Sequence, residues 1–266
     1  MSPPVGGPAL DRDRQQQTLD FVMEAGRLLL ENGAEVFRVQ QTMAIMAKSL
    51  GLARFNTYVV TNGIFASIDG EAAAQVRSVP NQDTNMDRVV GINQISRQVA
   101  QGKMDLEQAS AALKKVMAQP RLPKGLQIVA CGVGSACFTL MFGGQPWDSA
   151  ASLVIGMILW CAHLALDKAR LNKIIVKISG AALVATLALF ICRAFPNLLI
   201  DKIIIGDLMP MTPGVALTTS IRDFVNGDYL SGTIRIIDAL LIAGALACGV
   251  GLVLSLARLS AWGGLL

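Results

Sequence analysis

The chain has 266 residues, of which 53% are hydrophobic and 16% are charged, and its formal net charge is +4. Its mean hydropathy of +0.50 lies well above that of soluble globular proteins, which excludes an ordinary soluble protein. The cationic residues are scattered and interleaved with acids, which excludes a basic nucleic-acid-binding surface. The composition therefore indicates a protein that lies in a lipid bilayer and binds no nucleic acid.

Charge is distributed unevenly along the chain. The first 125 positions hold 26 of the 42 charged residues, including all five glutamates. This predicts a soluble domain over residues 1–124 and a transmembrane domain over residues 125–266. Residues 1–17 lack the basic start and apolar core of a signal peptide, so we expect the N-terminus to stay in the cytoplasm.

The soluble half is predicted to be a small α+β domain with the element order ααβββαα. Two β-rich runs flank Thr61-Asn62-Gly63, and Asn-Gly between such runs is a strong hairpin signal. Asp69-Gly70 predicts a second turn before a third strand. Helices are predicted on both sides of this meander, because apolar residues there recur at helical spacing.

Glycine, proline and capping residues predict where these four helices begin and end. Glycine and proline are typical of positions just past a helix C-terminus, and aspartate is a good N-cap. The third helix is expected to begin near Asp83-Thr84, and the fourth at Asp105. The predicted ends are at Asn32-Gly33, before Gly51, at Gly102 and before Pro120.

The soluble half carries no pattern of a catalytic or metal site. It lacks a nucleophile elbow, a P-loop and a metal-spaced cluster, so we predict no enzyme activity, no metal and no cofactor. Glu35 and Arg38 lie three apart on a predicted helix, where an ion pair contributes about 0.2–0.5 kcal/mol. A solvated surface pair and a functional carboxylate both remain open for this motif.

Five apolar stretches are candidates to span a bilayer, which needs roughly 20 apolar residues. Lysine and arginine concentrate on one side of these stretches, which predicts a cytoplasmic N-terminus and an external C-terminus in the cell inner (plasma) membrane. The expected fold is therefore an α-helical, multi-pass membrane protein preceded by the small α+β domain. The predicted spans are 125–142, 149–166, 174–195, 200–219 and 234–257.

The fourth span contains the unusual sequence GDLMPMTPGVALTTSIRD. Pro210 and Pro213 each remove a backbone donor, which predicts a break around 209–212. Thr212-Pro213 reads as the N-cap and first turn of a second half-helix. Its N-terminus would fall near mid-membrane, where discontinuous transporter helices bind substrate carboxylates. The alternative is a kinked helix with a purely structural role.

Asp207 lies just before this break. An acid at bilayer depth costs roughly 2.5–3.5 kcal/mol, so such residues usually face a partner or a water pathway. Asp207 could hold a substrate ammonium or a coupling proton, with Arg235 and Asp238 as candidate partners. An interfacial salt bridge is the simpler interpretation of those two residues. Thr218 and Thr219 could bond substrate or backbone carbonyls.

Three stretches, LLLENGAEVFRVQQTM, TNGIFASI and PMTPGVALTTSIRDFVNGDYLSG, resemble the threonine/serine exporter family in its large-subunit, YjjP-like form. The resemblance covers nearly the whole chain and keeps the motif order. It implies a cytoplasmic N-terminal domain, five spans, and a separate small membrane subunit of the same family, hence assembly as a hetero- or homo-oligomer. The residues carried over are Glu35, Arg38, Asp207, Pro210, Pro213, Gly214, Arg222 and Asp228.

The leading hypothesis is a membrane subunit of a secondary exporter of threonine and serine. A dicarboxylate exporter subunit, for succinate, is the closest alternative, and a membrane-anchored enzyme, regulatory or structural protein is an alternative from a different class. The sequence contains no Walker motif, so it gives no indication of ATP use. The residues expected on the substrate or proton pathway are Asp207, Pro210, Thr212, Pro213, Gly214, Thr218, Arg222, Asp228 and Asp238.

Overall fold

The computed structural model describes residues 12–52, 54–68, 74–79, 84–120, 122–169 and 171–259. The predicted turn at Asp69-Gly70 and the predicted helix start at Asp83 lie outside the described residues. The fold divides into two compact units. The first unit contains the described residues up to Pro120 together with Thr218–Arg235, and the second contains those of Arg121–Leu217 and Ile236–Leu266.

The first unit begins with the predicted order of helices and strands. Asp105 caps the fourth helix through a capping box with Gln108, and Gly33 and Gly51 have the positive φ typical of helix ends, 88° and 84°. Among the described residues up to Pro120 the elements follow the order ααβββαα. The elements are α1 (Arg12–Glu31), α2 (Val36–Ser49), β1 (Phe55–Val60), β2 (Gly63–Ile68), β3 (Gln75–Ser78), α3 (Met86–Ala100) and α4 (Leu106–Ala118).

The three strands form an antiparallel meander in the order β1-β2-β3. Val60 pairs with Gly63, so the two turn residues are Thr61 and Asn62. The predicted Asn-Gly turn is therefore shifted by one residue, and Gly63 opens β2. Helices and sheet share one apolar core, to which Met23, Leu29, Met43, Ile64 and Ile92 contribute fully buried side chains.

The second unit is built from long apolar helices. Four described helices are long and apolar enough to cross a membrane, namely α5, α6, α7 and α10. The fourth predicted span corresponds to the two shorter helices α8 and α9, so its passage through the bilayer stays a prediction. The elements are α5 (Lys124–Met141), α6 (Pro146–Lys168), α7 (Lys173–Ala194), α8 (Ile200–Leu208), α9 (Gly214–Val225) and α10 (Tyr229–Leu259).

Two glycines allow α5 and α6 to pack very closely. A Cβ on Gly132 would lie 2.6 Å from the carbonyl oxygen of Leu153, and one on Gly156 would lie 2.5 Å from Oγ of Ser135. Small residues of this kind let the backbones of membrane helices approach each other. Because of this close contact, Ser135 of α5 lies directly against Gly156 of α6.

Candidate functional site

The fourth predicted span is broken in the structure. α8 ends at Leu208, a single 3-10 turn covers Met209–Met211, and α9 begins at Gly214. Pro210 and Pro213 account for the break, because proline has no N–H to donate and its ring clashes with the preceding turn. The predicted discontinuity at 209–212 is confirmed.

Side chains bind the carbonyl groups that the break releases. Thr212 Oγ1 donates to the carbonyl oxygen of Met209 at 2.6 Å, and Lys177 Nζ on α7 donates to that of Met211 at 3.0 Å. Thr212 was expected to cap α9, but α9 begins at Gly214 and the Thr212 hydroxyl faces back to the 3-10 turn. A carbonyl group without a hydrogen-bond partner is costly away from water, so both contacts stabilise the broken backbone.

Asp207 lies one residue before the end of α8 and is fully buried, with an exposed fraction of 0%. The hydroxyl groups of Ser135 on α5 and Ser152 on α6 lie beside its carboxylate. Neither carboxylate oxygen has a hydrogen-bond partner among the residues that the structure describes, and the same holds for Ser135 Oγ. A buried acid in this state is expected to bind a cationic group or a proton, because an isolated carboxylate is very costly away from water.

Gly206 brings α8 into direct contact with α5 next to Asp207. A Cβ at this position would lie 1.9 Å from Oγ1 of Thr139 and 2.8 Å from its backbone nitrogen. Thr139 Oγ1 lies 2.7 Å from Ser152 Oγ and 3.0 Å from the carbonyl oxygen of Ser135. The hydroxyls of Thr139 on α5 and Ser152 on α6 are therefore hydrogen-bonded to each other, next to the helix that carries Asp207.

Asp148 is a second fully buried carboxylate of the second unit, and it differs from Asp207 in one respect. Its Oδ2 accepts from the backbone N–H of Gln145 at 2.7 Å, and its Oδ1 accepts from that of Leu199 at 2.9 Å. Both oxygens are thus used to join the start of α6 to the start of α8. Asp148 therefore joins two helices through its hydrogen bonds, whereas both carboxylate oxygens of Asp207 lack a hydrogen-bond partner among the described residues.

In the first unit, Asp223 and Arg235 form a buried ion pair between α9 and α10. Arg235 Nε lies 3.4 Å from Asp223 Oδ2, and the side chains are 10% and 0% exposed. Burial raises the pKa of Asp223 above its ordinary value, and the guanidinium of Arg235 opposes this shift. Arg235 was a predicted partner of Asp207; the structure instead gives it Asp223 as its ion-pair partner.

The Glu35 carboxylate pairs with Nη1 of Arg222 on α9, 187 positions later in the chain. Arg38 Nη1 donates to Gln41 Oε1 at 3.4 Å instead. The predicted ion pair between Glu35 and Arg38 is therefore wrong. Its premise was that both residues lie within one helix, but Glu35 precedes α2 as its N-cap residue with an extended backbone.

The remaining predicted residues have different environments. Asp228 Oδ1 accepts from the backbone N–H of Ser231 at 3.2 Å, as a helix cap does. Pro210 and Pro213 are half-buried, and Thr212, Gly214, Thr218 and Asp238 are exposed. In the described part of the chain, no group of three or more His, Cys, Asp and Glu residues is placed to hold a metal ion.

A family model described as "ThrE: Putative threonine/serine exporter" matches residues 20–257. The chain belongs to this family. The match includes both units of the fold and the broken segment, which fits a multi-pass membrane protein with four helices able to cross a bilayer. By its name the threonine/serine exporter family is one of transporters.

Two curated relatives of this exporter family are similar at low identity. The "Probable threonine/serine exporter" of Mycobacterium tuberculosis is 23% identical over 250 residues, which cover 91% of this chain and 46% of that protein. The "Probable succinate transporter subunit YjjP" of Escherichia coli is 22% identical over 264 residues, which cover 95% of this chain and 100% of that protein. The chain thus spans about half the length of the first relative. No solved structure matches it.

Sequence reasoning missed several polar residues that surround the predicted ones. Ser135 and Ser152 lie in apolar helices, and a lone serine there is usually a small packing residue. A lysine near the end of an apolar helix commonly extends to the membrane surface, yet Lys177 donates to the backbone of the broken segment. One signal was available for Asp148 and Asp223, because a carboxylate inside an apolar segment of a membrane protein indicates a structural or functional partner.

Proposed function

We propose that this chain is a membrane subunit of a secondary exporter of small metabolites that carry a carboxylate, threonine and serine in the first place. The observation that carries the proposal is the buried Asp207 carboxylate, which has no hydrogen-bond partner in the described structure and lies immediately before the helix break. A protein that only anchors or scaffolds has no need for such a group, because the carboxylate weakens the fold unless another group binds it.

Asp207 is proposed to alternate between a substrate ammonium and a proton. The hydroxyls of Ser135 and Ser152 beside it can donate to a carboxylate and can also accept from a carboxylic acid, so they support both states. A neutral or cation-paired Asp207 avoids a bare charge in the apolar interior. This exchange couples loading of the substrate to movement of a proton.

The start of α9 is proposed to receive the substrate carboxylate. α9 begins at Gly214, directly after Pro213, and the first turn of a helix carries a partial positive charge. Discontinuous helices of other transporters hold anionic groups in this way. An amino acid bound by its carboxylate at α9 and by its ammonium at Asp207 would bridge the break.

A separate small membrane subunit is proposed to complete the exporter. The E. coli relative that the chain matches over its whole length is named a subunit. We further propose that residues 1–124 form a cytoplasmic domain and that five segments cross the inner membrane, with residues 200–219 as the fourth. The assembly is then a hetero-oligomer in the lipid bilayer.

Succinate is the second candidate substrate. The E. coli relative named as a succinate transporter subunit is matched over its whole length, which favours a dicarboxylate for the two-chain form. A dicarboxylate has no ammonium, so Asp207 would then bind only the proton. The broken helix would bind one substrate carboxylate in either case.

The proposal is tested by efflux from cells preloaded with threonine, serine or succinate. The cells express this chain with or without a small subunit of the same family, and membrane levels of the protein are measured in parallel. We expect efflux of one of the three substrates that depends on both chains. Absence of efflux of all three, with both chains folded in the membrane, would overturn the assignment.

A further inference from the structure

Two sequence motifs that are far apart in the chain meet in the first unit. The first motif is the turn between α1 and α2, residues 33–35, and the second is the segment Thr218–Arg235. Arg222 pairs with the Glu35 carboxylate, and Arg235 Nη2 donates to the carbonyl oxygen of Ala34 at 3.2 Å. Both contacts end on the same turn, which joins it to two different helices.

Arg235 lies at the centre of these contacts. The residue is 9% exposed, and its guanidinium reaches three partners. Besides Ala34, Nη1 donates to Thr219 Oγ1 at 3.2 Å and Nε lies 3.4 Å from Asp223 Oδ2. A planar guanidinium with five donors can face three groups in fixed directions, whereas the single ammonium of lysine cannot.

The end of α9 and the start of α10 pack against each other as a tight hairpin. The backbone N–H of Asp228 donates to the carbonyl oxygen of Asp223 at 2.9 Å. A Cβ on Gly232 would lie 3.1 Å from the Phe224 ring and from the carbonyl oxygen of Ser220. Arg235 on α10 therefore contacts both the α1–α2 turn and α9, so one side chain links the turn to the two helices of the hairpin.

α9 is a continuous helix of 12 residues from Gly214 to Val225. Its first residue follows the break, and its last two turns carry Thr219, Arg222 and Asp223. A continuous helix moves as a rigid element, so a restraint on its C-terminal half also restrains its N-terminus. The contacts at Arg235 thus bear directly on the position of the helix start that follows the break.

We propose that Arg235 is a positioning residue which, together with the Glu35–Arg222 pair, fixes α9 on the α1–α2 turn and so sets the transport-competent position of the helix start at Gly214. This inference rests on the proposed export function. In this proposal the role of the α1–α2 turn is structural support, because Ala34 and Glu35 restrain α9, the helix that follows the break.

The test combines a conservative change with a charge exchange. Arg235→Lys keeps the positive charge and loses the planar arrangement of five donors. Glu35→Arg and Arg222→Glu each place like charges together, and the double variant restores an ion pair of opposite orientation. The matched control exchanges Asp20 and Arg77, an exposed ion pair of 3.2 Å between α1 and β3 that does not involve α9 or α10. Initial efflux rates are measured over a range of internal substrate concentrations.

We expect Arg235→Lys and each single charge reversal to lower the efflux rate about fivefold or more. The Glu35→Arg/Arg222→Glu double variant is expected to recover most of the rate. The Asp20→Arg/Arg77→Asp control should keep it. Full efflux of the singles, or a double variant as slow as either single at equal membrane levels, would overturn the positioning role.

A measurement that does not depend on transport separates this inference from the export function itself. Amide hydrogen exchange of residues 218–235 is followed in the purified full-length chain. Faster exchange in Glu35→Arg, reversed in the double variant, supports the restraint on α9 even if no substrate is exported. Unchanged exchange in the single variants would overturn the restraint even if export is observed.

Discussion

Glu35 and Arg222 form an ion pair across 187 positions of sequence. The pair joins the GAEVFR stretch, which precedes and opens α2, to the TTSIRD stretch of α9. Helical spacing alone favoured a local partner for Glu35, but Glu35 lies outside α2 with an extended backbone and pairs with Arg222 instead. Two stretches that looked like separate motifs are therefore parts of one interaction in the first unit.

The buried pair of Asp223 and Arg235 predicts strongly non-additive effects on stability. Arg235→Met should lower the free energy of unfolding by about 3–5 kcal/mol, because it leaves a buried carboxylate without its counter-charge. Adding Asp223→Asn should recover part of the loss, because the second change removes that charge. Thermal unfolding of the purified variants measures both effects. Equal losses in the single and double variants would contradict the assigned pairing.

The stability of Arg235→Met should also depend on pH in a defined direction. Burial raises the pKa of Asp223, and loss of the arginine removes the charge that opposes this shift. A folded-state pKa above the unfolded one makes stability fall as the pH rises through the folded value. The deficit of Arg235→Met relative to wild type should therefore shrink as the pH is lowered towards the ordinary carboxyl pKa. A deficit that grows on acidification would be incompatible with this account.

Gly206 is predicted to be required for the fold around Asp207. Gly206→Ala places a methyl group 1.9 Å from Thr139 Oγ1 and within 3 Å of its backbone, so α8 must move away from α5. We expect a loss of about 1–3 kcal/mol or more, seen as a lower unfolding temperature and lower membrane levels.

The matched control for this change is Gly134→Ala on α5. A Cβ on Gly134 would meet nothing within 4 Å, and alanine favours a helix interior by up to about 1 kcal/mol over glycine. Gly134→Ala should therefore be as stable as wild type or slightly more so. If both alanine variants behave alike, the close contact between α8 and α5 is not what holds this region.

Asp148→Asn is predicted to destabilise the second unit. The amide replaces one of two oxygens that accept backbone N–H groups of Gln145 and Leu199, and it turns an NH2 group towards a donor. An unsatisfied buried donor costs about 1–3 kcal/mol. Unfolding temperatures check this, with the exposed Asp201→Asn as the neutral control. A wild-type unfolding temperature for Asp148→Asn would show that these two hydrogen bonds contribute little.

Lys177→Met is predicted to loosen the helix break. The methionine keeps most of the side-chain volume and removes the hydrogen bond to the Met211 carbonyl oxygen, which is left without this donor. We expect a lower efflux rate and faster amide exchange around 209–213. Lys177→Arg retains a donor at this position and should lose less. If the methionine variant exports and exchanges like wild type, the contact has no role in holding the break.

Local rules predicted much of the fold, because they depend on neighbours in sequence. The glycines at the ends of α1 and α2 and the cap at Asp105 were each read from a few adjacent residues. The break in the fourth segment followed from Pro210 and Pro213 in the same way. The hairpin turn was displaced by one residue, since strand pairing placed Gly63 in β2.

The partners of buried polar side chains were not predictable in this way. Nothing in the sequence says that α5 and α6 bring Ser135 and Ser152 to Asp207, because close helix packing at glycines decides it. Arg235 lies 12 residues after Asp223 in the sequence and in the next helix. Helical spacing relates only residues of the same helix, so it could not predict this pair. The spacing of these charged residues in the sequence is compatible with several ion pairs, and tertiary packing determines which of them form.

The most direct test of the central claim compares two aspartates of the same helix. Asp207→Asn and Asp201→Asn are each expressed with the small subunit, and efflux of the exported substrate is measured at equal membrane levels. Asp201 is 60% exposed and pairs with Lys202, so its variant should export like wild type. Asp207→Asn should fold and lose at least about tenfold in efflux rate, equivalent to about 1.4 kcal/mol. Wild-type efflux by folded Asp207→Asn would contradict the claim that this buried carboxylate carries transport.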